Sequence, residues 1–489
     1  MRRGLWLAAA SWAGLATACL VDNPAWIGQS TTSGATGTAT GSGDGATSMV
    51  GTGGASGDAT ETEGSTGEEP PRVDLPTTCE PLEPPVDPPY VTVTPDAAAD
   101  LDQIFAQLPS GALVAFEPGV YDRSGMAPLD VVVRGTRLRS TTGMPSDVWI
   151  DGGGTASELM RIRAPGVLIA EIGLRNAADN LLSVDSTEGS MIGPQIYRVA
   201  FVNSGGYAMF ARADGANGAY VDEGEVACSS FSNESAFRDA LGPDCQTGAL
   251  QGHSTAAWVV RDNEFVGYWC PDQTVAVPAV RFTDDARDTE IVRNRFVDNF
   301  RALVLGAGGI TGTMCEDAEP PVRVFDDVPN GCDNGQYWGH IGGRVVNNTF
   351  WIGGVEIAMI ETDSALSLWC ACQTEVFHNT FVNLDVVFTS IEYRFARTVV
   401  TIANNLAADV IEARDGATAL LVSDNVELAD LNDFANALQP PPDLDLHLRE
   451  TAVEAIDAGL ILPGGAVPND FEGDPRSGTP DHGADEYVP

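Results

Sequence analysis

Asp262-Asn263-Glu264-Phe265 and Arg293-Asn294-Arg295-Phe296 are two copies of an Asn-x-Phe phrase that decides how this chain folds. Further copies end at Phe350 and Phe381, and each copy follows a run of β-branched residues. Successive phenylalanines are 31, then 54, then 31 residues apart, between 265, 296, 350 and 381. Such a regular spacing identifies a structural repeat.

The repeat predicts a parallel β-helix. Asn enters the left-handed backbone region at low cost, so a strand that ends in Asn is expected to turn sharply there. The following Phe is expected to stack inside on the Phe of the next copy, and Phe201 and Phe231 extend the series upstream. A leucine-rich repeat would need an L-x-x-L-x-L run, and a propeller blade is longer than this period. A β-sandwich with asparagines in its turns is the remaining alternative.

The segment before the repeats has the features of a solenoid cap. Thr94-Pro95-Asp96 predicts a helix start, and apolar residues follow at helical spacing as far as Leu108. The strand Leu113-Val114-Ala115-Phe116 and the turn Pro118-Gly119-Val120-Tyr121 come next. This arrangement resembles the first coil of right-handed parallel β-helix proteins of the pectate-lyase-like superfamily, over roughly Val91 to Asn425. The resemblance implies an all-β, right-handed parallel β-helix solenoid with an N-terminal capping helix, preceded by a disordered tether.

The N-terminal residues have the features of an export signal. Arg2 and Arg3 precede a short apolar core, and Ala16-Thr17-Ala18-Cys19 follows it, so we expect residues 1–18 to be a signal peptide. Cys19 resembles the lipobox cysteine of bacterial lipoproteins, which implies lipidation, a membrane contact through the lipid anchor only, and an outer-membrane or cell-surface location. Ordinary cleavage with secretion is the alternative.

The composition predicts three further regions. Residues 19–89 are rich in Ser, Thr, Gly and Pro, which predicts a flexible linker. Residues 90–430 are expected to form the β-helix, and residues 431–489 a C-terminal closing segment. In that segment Asp470-Phe471-Glu472-Gly473-Asp474-Pro475-Arg476 and Asp481-His482-Gly483-Ala484-Asp485-Glu486 resemble the end of surface β-helix proteins with choice-of-anchor Q domains. The resemblance implies a structural role.

The cysteines suit an oxidising compartment. The chain has nine, and lipidation of Cys19 leaves an even number for disulfides. Two inserted loops are bounded by cysteines, so we expect the pairs Cys228–Cys245 and Cys315–Cys332. The pairing of four others stays open: Cys79, Cys270, Cys370 and Cys372.

The charge limits the partners. The net charge is −43, from 69 acidic and 26 basic residues, which excludes nucleic acid as a partner for the general surface. All 26 basic residues are arginines, so no lysine base or Schiff base is available. Several arginines that lie where strands meet solvent are expected to pair with acids: Arg175, Arg198, Arg261, Arg293 and Arg394.

A candidate site comes from acids that end predicted strands. Glu361 and Glu392 each lie 11 residues after the Phe of their own repeat, which predicts that they stack side by side, with Asp363 beside Arg394. With Asp284, these residues are predicted to line one groove within about 10 Å, as two coils lie about 5 Å apart. Such carboxylates suit a calcium site or an acid and base pair. The competing interpretation is that acids end strands because Asp favours turns.

Two classes of function remain. One is a surface protein that binds a polysaccharide, a cell-envelope glycan or another partner without catalysis. The other is a polysaccharide lyase or glycoside hydrolase, which the fold permits but does not imply. The Asn-Thr-Asp, Asp-Asp and Gly-His-Gly set of polygalacturonases is missing, and so is a clear calcium-binding Asp constellation, which favours the first class.

Overall fold

The computed structural model describes residues 72–85, 87–186, 189–212, 218–242, 245–271, 277–306, 323–325, 328–329, 331–332, 337–354, 362–384 and 387–488, with the backbone alone at 362, 363 and 388. These residues form a right-handed parallel β-helix, as the repeat predicts. One coil runs through Gln195–Tyr197, Ala200–Ser204 and Tyr207–Arg212 before the chain re-enters the first sheet at Glu225–Ala227. Each coil thus adds one strand to each of three sheets.

The described strands fall into three large sheets, and a coil visits them in the order sheet 1, sheet 3, sheet 2. Sheet 1 contains Val91–Val93, Leu113–Phe116, Arg137–Ser140, Leu168–Ala170, Gln195–Tyr197, Glu225–Ala227, Val259–Arg261, Ala286–Arg287, Glu290–Val292, His340–Ile341, Arg344–Val346, Ala371–Phe377, Val399–Ala403 and Thr418–Ser423. Sheet 2 contains Leu129–Val131, Glu158–Ile162, Asn180–Asp185, Tyr207–Arg212, Gly248–His253, Val280–Thr283, Leu303–Gly306, Thr362–Trp369, Val387–Arg394 and Ile411–Arg414. Sheet 3 contains Gly119–Asp122, Val148–Asp151, Gly173–Ala177, Ala200–Ser204, Ser230–Ser232, Glu264–Val266, Arg295–Val297, Thr349–Ile352, Thr380–Asn383, Leu406–Ala407 and Val426–Glu427.

The smaller elements lie between and after these strands. The short strands Met191–Ile192 and Val221–Asp222 pair in parallel, and Phe434–Asn436 pairs with Asp445–Leu448 in antiparallel fashion. The α-helices are Leu101–Phe105 and Ser235–Leu241, and the 3₁₀ turns are Pro95–Asp100, Pro145–Asp147, Leu431–Asp433 and Pro463–Gly465. Within the described residues, no helix has both the length and the apolar character needed to cross a membrane.

The phenylalanines of the repeat form a continuous stack in the interior. Phe265 and Phe296 have ring centroids 5.0 Å apart, and Phe350 and Phe381 have theirs 4.4 Å apart. The stack extends upstream through Phe231 to Phe201. The predicted stacking is confirmed, and the parallel register pairs each Phe directly with the next.

The asparagines act differently from the prediction. The residue in the left-handed region precedes the repeat asparagine: Arg293 has φ of 51° and Asp262 has φ of 56°. Asn294 itself forms a ladder, because its backbone N–H and side-chain amide both donate to the side-chain oxygen of Asn348, at 2.8 and 3.0 Å. Asn348 repeats both bonds to Asn379. The turn is therefore where the sequence predicts it, but the Asn side chain satisfies buried backbone N–H groups at each coil.

The N-terminal cap is also confirmed in its position. Pro95 begins a 3₁₀ turn that continues into the helix Leu101–Phe105, which is shorter than the apolar pattern predicts. Leu101 and Phe105 are fully buried against the first coils. The cap thus covers the apolar end that a solenoid otherwise exposes.

Residues 72–85, which we call the strap, correct the predicted boundary of the linker. They pack on the outer face of sheet 1, where Leu82 contacts a cluster that includes Tyr197. The Tyr197 hydroxyl donates to the carbonyls of Thr78 and Glu80, at 2.9 and 2.7 Å. The strap packs on this face because it has apolar side chains to bury and a cysteine to bond.

The disulfides also differ from the two predicted pairs. Cys228 bonds Cys79 of the strap and not Cys245, which bonds Cys270 instead. Cys332 bonds Cys372, so the pair Cys315–Cys332 is wrong; Cys315 lies outside the described residues. Cys370 is disulfide-bonded as well. Disulfides of this kind indicate an extracytoplasmic protein.

The C-terminal segment covers the sides of the solenoid. Phe434 and Leu448 pack with Trp351 on the outer face of sheet 3. Leu462 and Val467 pack on sheet 1. The last strand of sheet 1, Thr418–Ser423, keeps Leu420 exposed, so the segment lies along the coils and not over their end. The strap and this segment thus occupy the outer faces of sheets 1 and 3.

Candidate functional site

The outer face of sheet 2 carries a compact group of polar and aromatic side chains. In the strands Tyr207–Arg212, Gly248–His253 and Val280–Thr283, side chains two residues apart point to the same face. The register places them in two rows across the three strands, one of Phe210, Gln251 and Arg281 and one of Arg212, His253 and Thr283. Neighbouring members of a row lie about 4.8 Å apart, the spacing of paired strands.

The interior fixes which side chains face outward. Met209, Leu250 and Val280 alternate with the outward residues and are fully buried in the core. Gly252 lies inward beside Phe282, and a Cβ on this glycine would come within 2.6 Å of the Phe282 ring. The close approach of that ring requires glycine here, and the strand then delivers the next residue, His253, to the surface.

His253 and Asp284 form a hydrogen-bonded pair at the centre of this face. The Nδ1 atom of His253 lies 2.9 Å from a carboxylate oxygen of Asp284, with side chains 30% and 12% exposed. The hydroxyl of Tyr337 donates to the other Asp284 oxygen at 3.1 Å. Asp284 has φ of 58°, so the chain turns directly after the strand and directs this carboxylate back toward the imidazole. We call these residues, with Gln251, the His253 site.

The pKa values of the site follow from these contacts. Burial by itself raises the pKa of the Asp284 carboxyl, but the hydrogen bond and charge of His253, the charge of Arg281 and the hydroxyl of Tyr337 together lower it to about 2. Burial raises the pKa of Tyr337 above its usual range, and the carboxylates of Asp284 and Asp285 add to this effect. Asp284 is therefore a fixed negative charge that orients the imidazole.

The other ring nitrogen of His253 contacts the buried side-chain amide of Gln251. The His253 ring also meets the ring of Phe210 edge to face, with centroids 5.3 Å apart. When Nδ1–H of a neutral imidazole donates to a carboxylate, the lone pair is on Nε2. His253 is thus arranged as a hydrogen-bond acceptor or a base whose ring is held on three sides.

Two arginines next to the site, Arg212 and Arg281, differ from the arginines that lie at other strand ends. Arg261 and Arg293 are ion-paired with Glu225 and Asp262, at 2.8 and 2.7 Å, as the sequence predicts for arginines at strand ends. Within the described residues, Arg212 and Arg281 have no such carboxylate partner; Arg212 lies exposed near the ring of Phe210, and Arg281 acts on Asp284 through its charge. In a protein with 69 acids, two such cations on one face are available for an anionic ligand.

A second arginine and aromatic group borders the site at the corner toward sheet 1. Arg323 pairs with both oxygens of Asp222, at 2.7 and 2.8 Å, and lies 4.0 Å from the ring centroid of Tyr220. It also donates to the carbonyl of Ser254, the residue after His253, at 3.2 Å. These contacts fix the backbone that carries the imidazole.

The predicted groove is only partly present. Glu361 lies outside the described residues, and only the backbone of Asp363 is described, in a strand of sheet 2. The predicted register is wrong, because Ser367 pairs with Glu392 and Trp369 pairs with Arg394. Thr362 lies 12 residues after Phe350, whereas its partner Val387 lies 6 residues after Phe381. A longer connection after Phe350 therefore shifts the offset on which the prediction depended.

Glu392 and Arg394 have internal partners. Glu392 is fully buried, accepts from the indole of Trp369 at 2.7 Å and pairs with Arg414 at 2.9 Å. Arg394 pairs with Asp415. Both lie on the outer face of sheet 2, but their strand is three strands from that of Asp284, which is roughly 14 Å. Among the predicted residues whose side chains the structure describes, Asp284 lies in the His253 site and Glu392 and Arg394 do not.

The sequence reasoning missed His253, Gln251 and the two available arginines. Gln251-Gly252-His253 and Phe210-Ala211-Arg212 contain the signal, since each has two polar or aromatic residues separated by a small inward residue. The alternation identifies the outward residues of each strand. It does not show which strands are neighbours, because insertions of different lengths separate them.

A cleft of about 430 Å³ lies elsewhere, between sheets 1 and 3, beside the disulfide Cys79–Cys228. Its arginines are already engaged: Arg293 pairs with Asp262 at 2.7 Å, and Arg198 donates to the carbonyl of Cys79. The cleft is therefore a weaker candidate than the His253 site, in spite of its volume.

Comparisons with known proteins agree with the fold alone. Pectate lyase Pel9A matches with a TM-score of 0.38 and 12% identity, over 82% of this chain and 97% of that one. The alginate lyase from Paenibacillus sp. str. FPU-7 matches with a TM-score of 0.37 and 11% identity, over 62% and 97%. The polygalacturonase from Erwinia carotovora ssp. carotovora matches with a TM-score of 0.35 and 10% identity, over 71% and 98%. No protein family model matches the sequence, and no curated protein matches it. At these levels of similarity nothing about the site follows from the matches.

Proposed function

We propose that the protein is a cell-surface lipoprotein whose β-helix binds an acidic polysaccharide across the outer face of sheet 2. The observation that carries the proposal is the pair of available arginines, Arg212 and Arg281, on either side of His253. Their guanidinium groups suit the carboxylate of a uronic acid residue, which a planar fork of N–H donors binds well. A membrane lipid on Cys19 holds the domain at the surface.

The shape of the face supports a chain of sugars as the ligand. The outward rows run along the solenoid axis, and each coil adds about 4.8 Å, close to the length of one extended sugar unit. The ring of Phe210, stacked on Tyr207 with centroids 5.4 Å apart, offers a flat apolar surface beside the two cations. Sugar rings have apolar faces that pack on such rings.

The net charge favours a local and specific contact. A polyanion is repelled by a surface of charge −43, so binding must depend on the few cations that form no salt bridge within the described residues. Added salt weakens both the repulsion by the distant acids and the attraction at the two arginines. A sugar with one carboxylate per unit meets these cations without the dense charge of a nucleic acid backbone.

The binding test uses the folded β-helix with a panel of polyuronates and matched neutral polysaccharides. We expect saturable binding to polyuronates, and loss of roughly tenfold in affinity for Arg212→Gln and for Arg281→Gln, as each removes a charged hydrogen bond. Arg137→Gln on sheet 1 is the matched control, since Arg137 is half-buried and, within the described residues, its guanidinium donates to the Gly111 carbonyl at 3.3 Å and to no carboxylate. Equal affinity for neutral chains, or an equal loss in Arg137→Gln, would refute the proposal.

A second candidate is eliminative cleavage of the same polymer, which the His253–Asp284 hydrogen bond favours. In this reaction the substrate displaces the amide of Gln251 from Nε2 of His253. Nε2 then removes the proton next to the uronate carboxyl group, while Arg281 neutralises that carboxylate. The electron pair of the C–H bond forms the C=C bond as the glycosidic C–O bond breaks, and the leaving oxygen takes a proton from water. Asp284 is a positioning residue, because it holds the imidazole in the required tautomer.

Prolonged incubation with and without calcium, followed by ultraviolet absorbance of the unsaturated product, separates the two candidates. A lyase forms product that His253→Gln abolishes while polymer binding persists, and Asp284→Asn shifts the pH profile of the remaining rate. Binding with no product under either condition supports the binding function alone.

A further inference from the structure

The C-terminal segment brings one imidazole and two carboxylates together. His447 is in the strand Asp445–Leu448, and Glu472 and Asp485 come from the turns that follow. One side-chain nitrogen or oxygen from each of these three residues lies within 4.8 Å of the others. The group is independent of the His253 site, which is on the outer face of sheet 2.

The hydrogen bonds orient these groups toward one point. Nδ1 of His447 lies 2.6 Å from a carboxylate oxygen of Asp445, and the His447 backbone N–H donates to the same oxygen at 3.1 Å. This contact turns Nε2 toward Glu472, whose carboxylate oxygen is 3.3 Å away. A carboxylate behind the distal ring nitrogen is the usual means by which a metal-binding histidine is held.

The three side chains of the group differ in how firmly hydrogen bonds and burial hold them. One oxygen of Asp485 accepts from the backbone N–H of Leu448 at 2.7 Å, so this side chain is fixed, with its other oxygen available. The side chains of His447 and Glu472 are more exposed, at 57% and 38%. Small rotations about their side-chain bonds bring the donor atoms to the roughly 2.0–2.2 Å that Zn²⁺ requires from each ligand.

We propose that His447, Glu472 and Asp485 form a site for a divalent transition-metal ion such as Zn²⁺, with Asp445 as the residue that orients the imidazole. One nitrogen and two carboxylate oxygens suit Zn²⁺, whereas Ca²⁺ takes six to eight oxygen ligands. The ligands come from the strand Asp445–Leu448 and from two later positions in the C-terminal segment. A bound ion would therefore cross-link these parts of the segment. The site is structural in its consequence and is separate from any action on a polysaccharide.

The test is calorimetric titration of the full folded protein with zinc chloride, in excess Ca²⁺ that occupies the acidic surface. We expect one saturable Zn²⁺ per chain and a rise in melting temperature on binding. The affinity is expected to fall as the pH is lowered from 7.5 to 5.5, by up to about tenfold per unit, because the proton competes for His447. Zinc-induced shifts of the His447 ring resonances locate the ion.

The variants decide between a built site and general adsorption. His447→Gln should abolish the saturable phase, and Asp445→Asn should weaken binding by roughly 10- to 100-fold. Glu450→Gln, a neighbouring exposed acid, is the matched control and should bind normally. Non-saturable uptake, or the same affinity in His447→Gln as in Glu450→Gln, overturns the proposal and leaves His447 as an ion-paired surface residue.

Discussion

At Asp284, burial and hydrogen bonding act on the same carboxylate in opposite directions. Removal from water favours the protonated form, but two hydrogen-bonded partners and the charge of Arg281 favour the anion more, and the pKa falls to about 2. The structure thus stabilises the charge that orients His253. This arrangement makes the pH dependence of stability a direct probe of the site.

We expect Asp284 to stabilise the fold at neutral pH and to lose that effect in acid. A carboxyl whose folded-state pKa is depressed contributes fully above its unfolded pKa of 3.8, and the contribution disappears as the pH falls to about 2. Its size is roughly 2 kcal/mol, since one pKa unit is about 1.4 kcal/mol. Urea unfolding at pH 5 and at pH 2.5 should show a larger loss for the wild type than for Asp284→Asn. Asp443→Asn, at an exposed acid, should keep the wild-type difference; an equal difference in all three proteins would contradict the prediction.

The asparagines show how far a single residue type can be interpreted from sequence. Their spacing predicted the turn, and the turn is there, but the left-handed residue is the one before, such as His378 before Asn379. The ladder bond from Asn348 to Asn379 joins residues 31 apart, and this partner is visible only once the coils are stacked. Local preference therefore locates the turn, while the role of the side chain depends on the neighbouring coil.

At the scale of elements, the strap is attached to sheet 1 by a disulfide and by several hydrogen bonds. It is held by the disulfide Cys79–Cys228, by two hydrogen bonds with Gln195 at 2.9 and 2.8 Å, and by the buried Glu171, which accepts from Leu82 at 2.7 Å. Arg139 bonds both Glu171 and the strap backbone. The contacts are distributed along the strap, so it should stay in place when one of them is lost.

We expect the loss of Cys79–Cys228 to cost more stability than the loss of Cys245–Cys270. The first closes a separation of 149 residues and the second one of 25. In the chain-entropy model the longer loop constrains the unfolded chain more, by about 1.5 kcal/mol. The measurement compares unfolding of Cys79→Ser/Cys228→Ser with that of Cys245→Ser/Cys270→Ser, each lacking both thiols of a pair. A smaller effect for the strap pair would show that strain or residual structure outweighs loop length.

The pairing itself could not be predicted from spacing. Cys245 and Cys270 are on neighbouring coils, whereas Cys228 and Cys245, although closer in sequence, face different partners. In a solenoid the residues that meet are one coil apart, and the insertions make that distance vary. The same variation shifted the register at Glu392, where a longer connection after Phe350 moved Ser367 into the position predicted for Glu361.

For the whole molecule, the fold was predictable because a repeat places the same requirement on every coil, and one weak copy does not hide the period. The site was less predictable than the fold. Asp284 was found because it ends a strand, but His253 and Arg212 become neighbours only through the register between strands. The sequence also did not predict where the strap and the C-terminal segment pack. The strap and the C-terminal segment pack on sheets 1 and 3, which directs attention to sheet 2.

The proposed lipid on Cys19 would attach this molecule to a membrane. The strap packs on the β-helix, and Cys19 lies in the chain before it, outside the described residues. The native protein should enter the detergent phase on phase partition, whereas Cys19→Ser should remain in the aqueous phase, because it cannot carry the proposed lipid. Thr17→Ser, which keeps the cysteine, is the control. Detergent partition of Cys19→Ser equal to that of the native protein would rule out the lipid anchor, without affecting polysaccharide binding by the isolated β-helix.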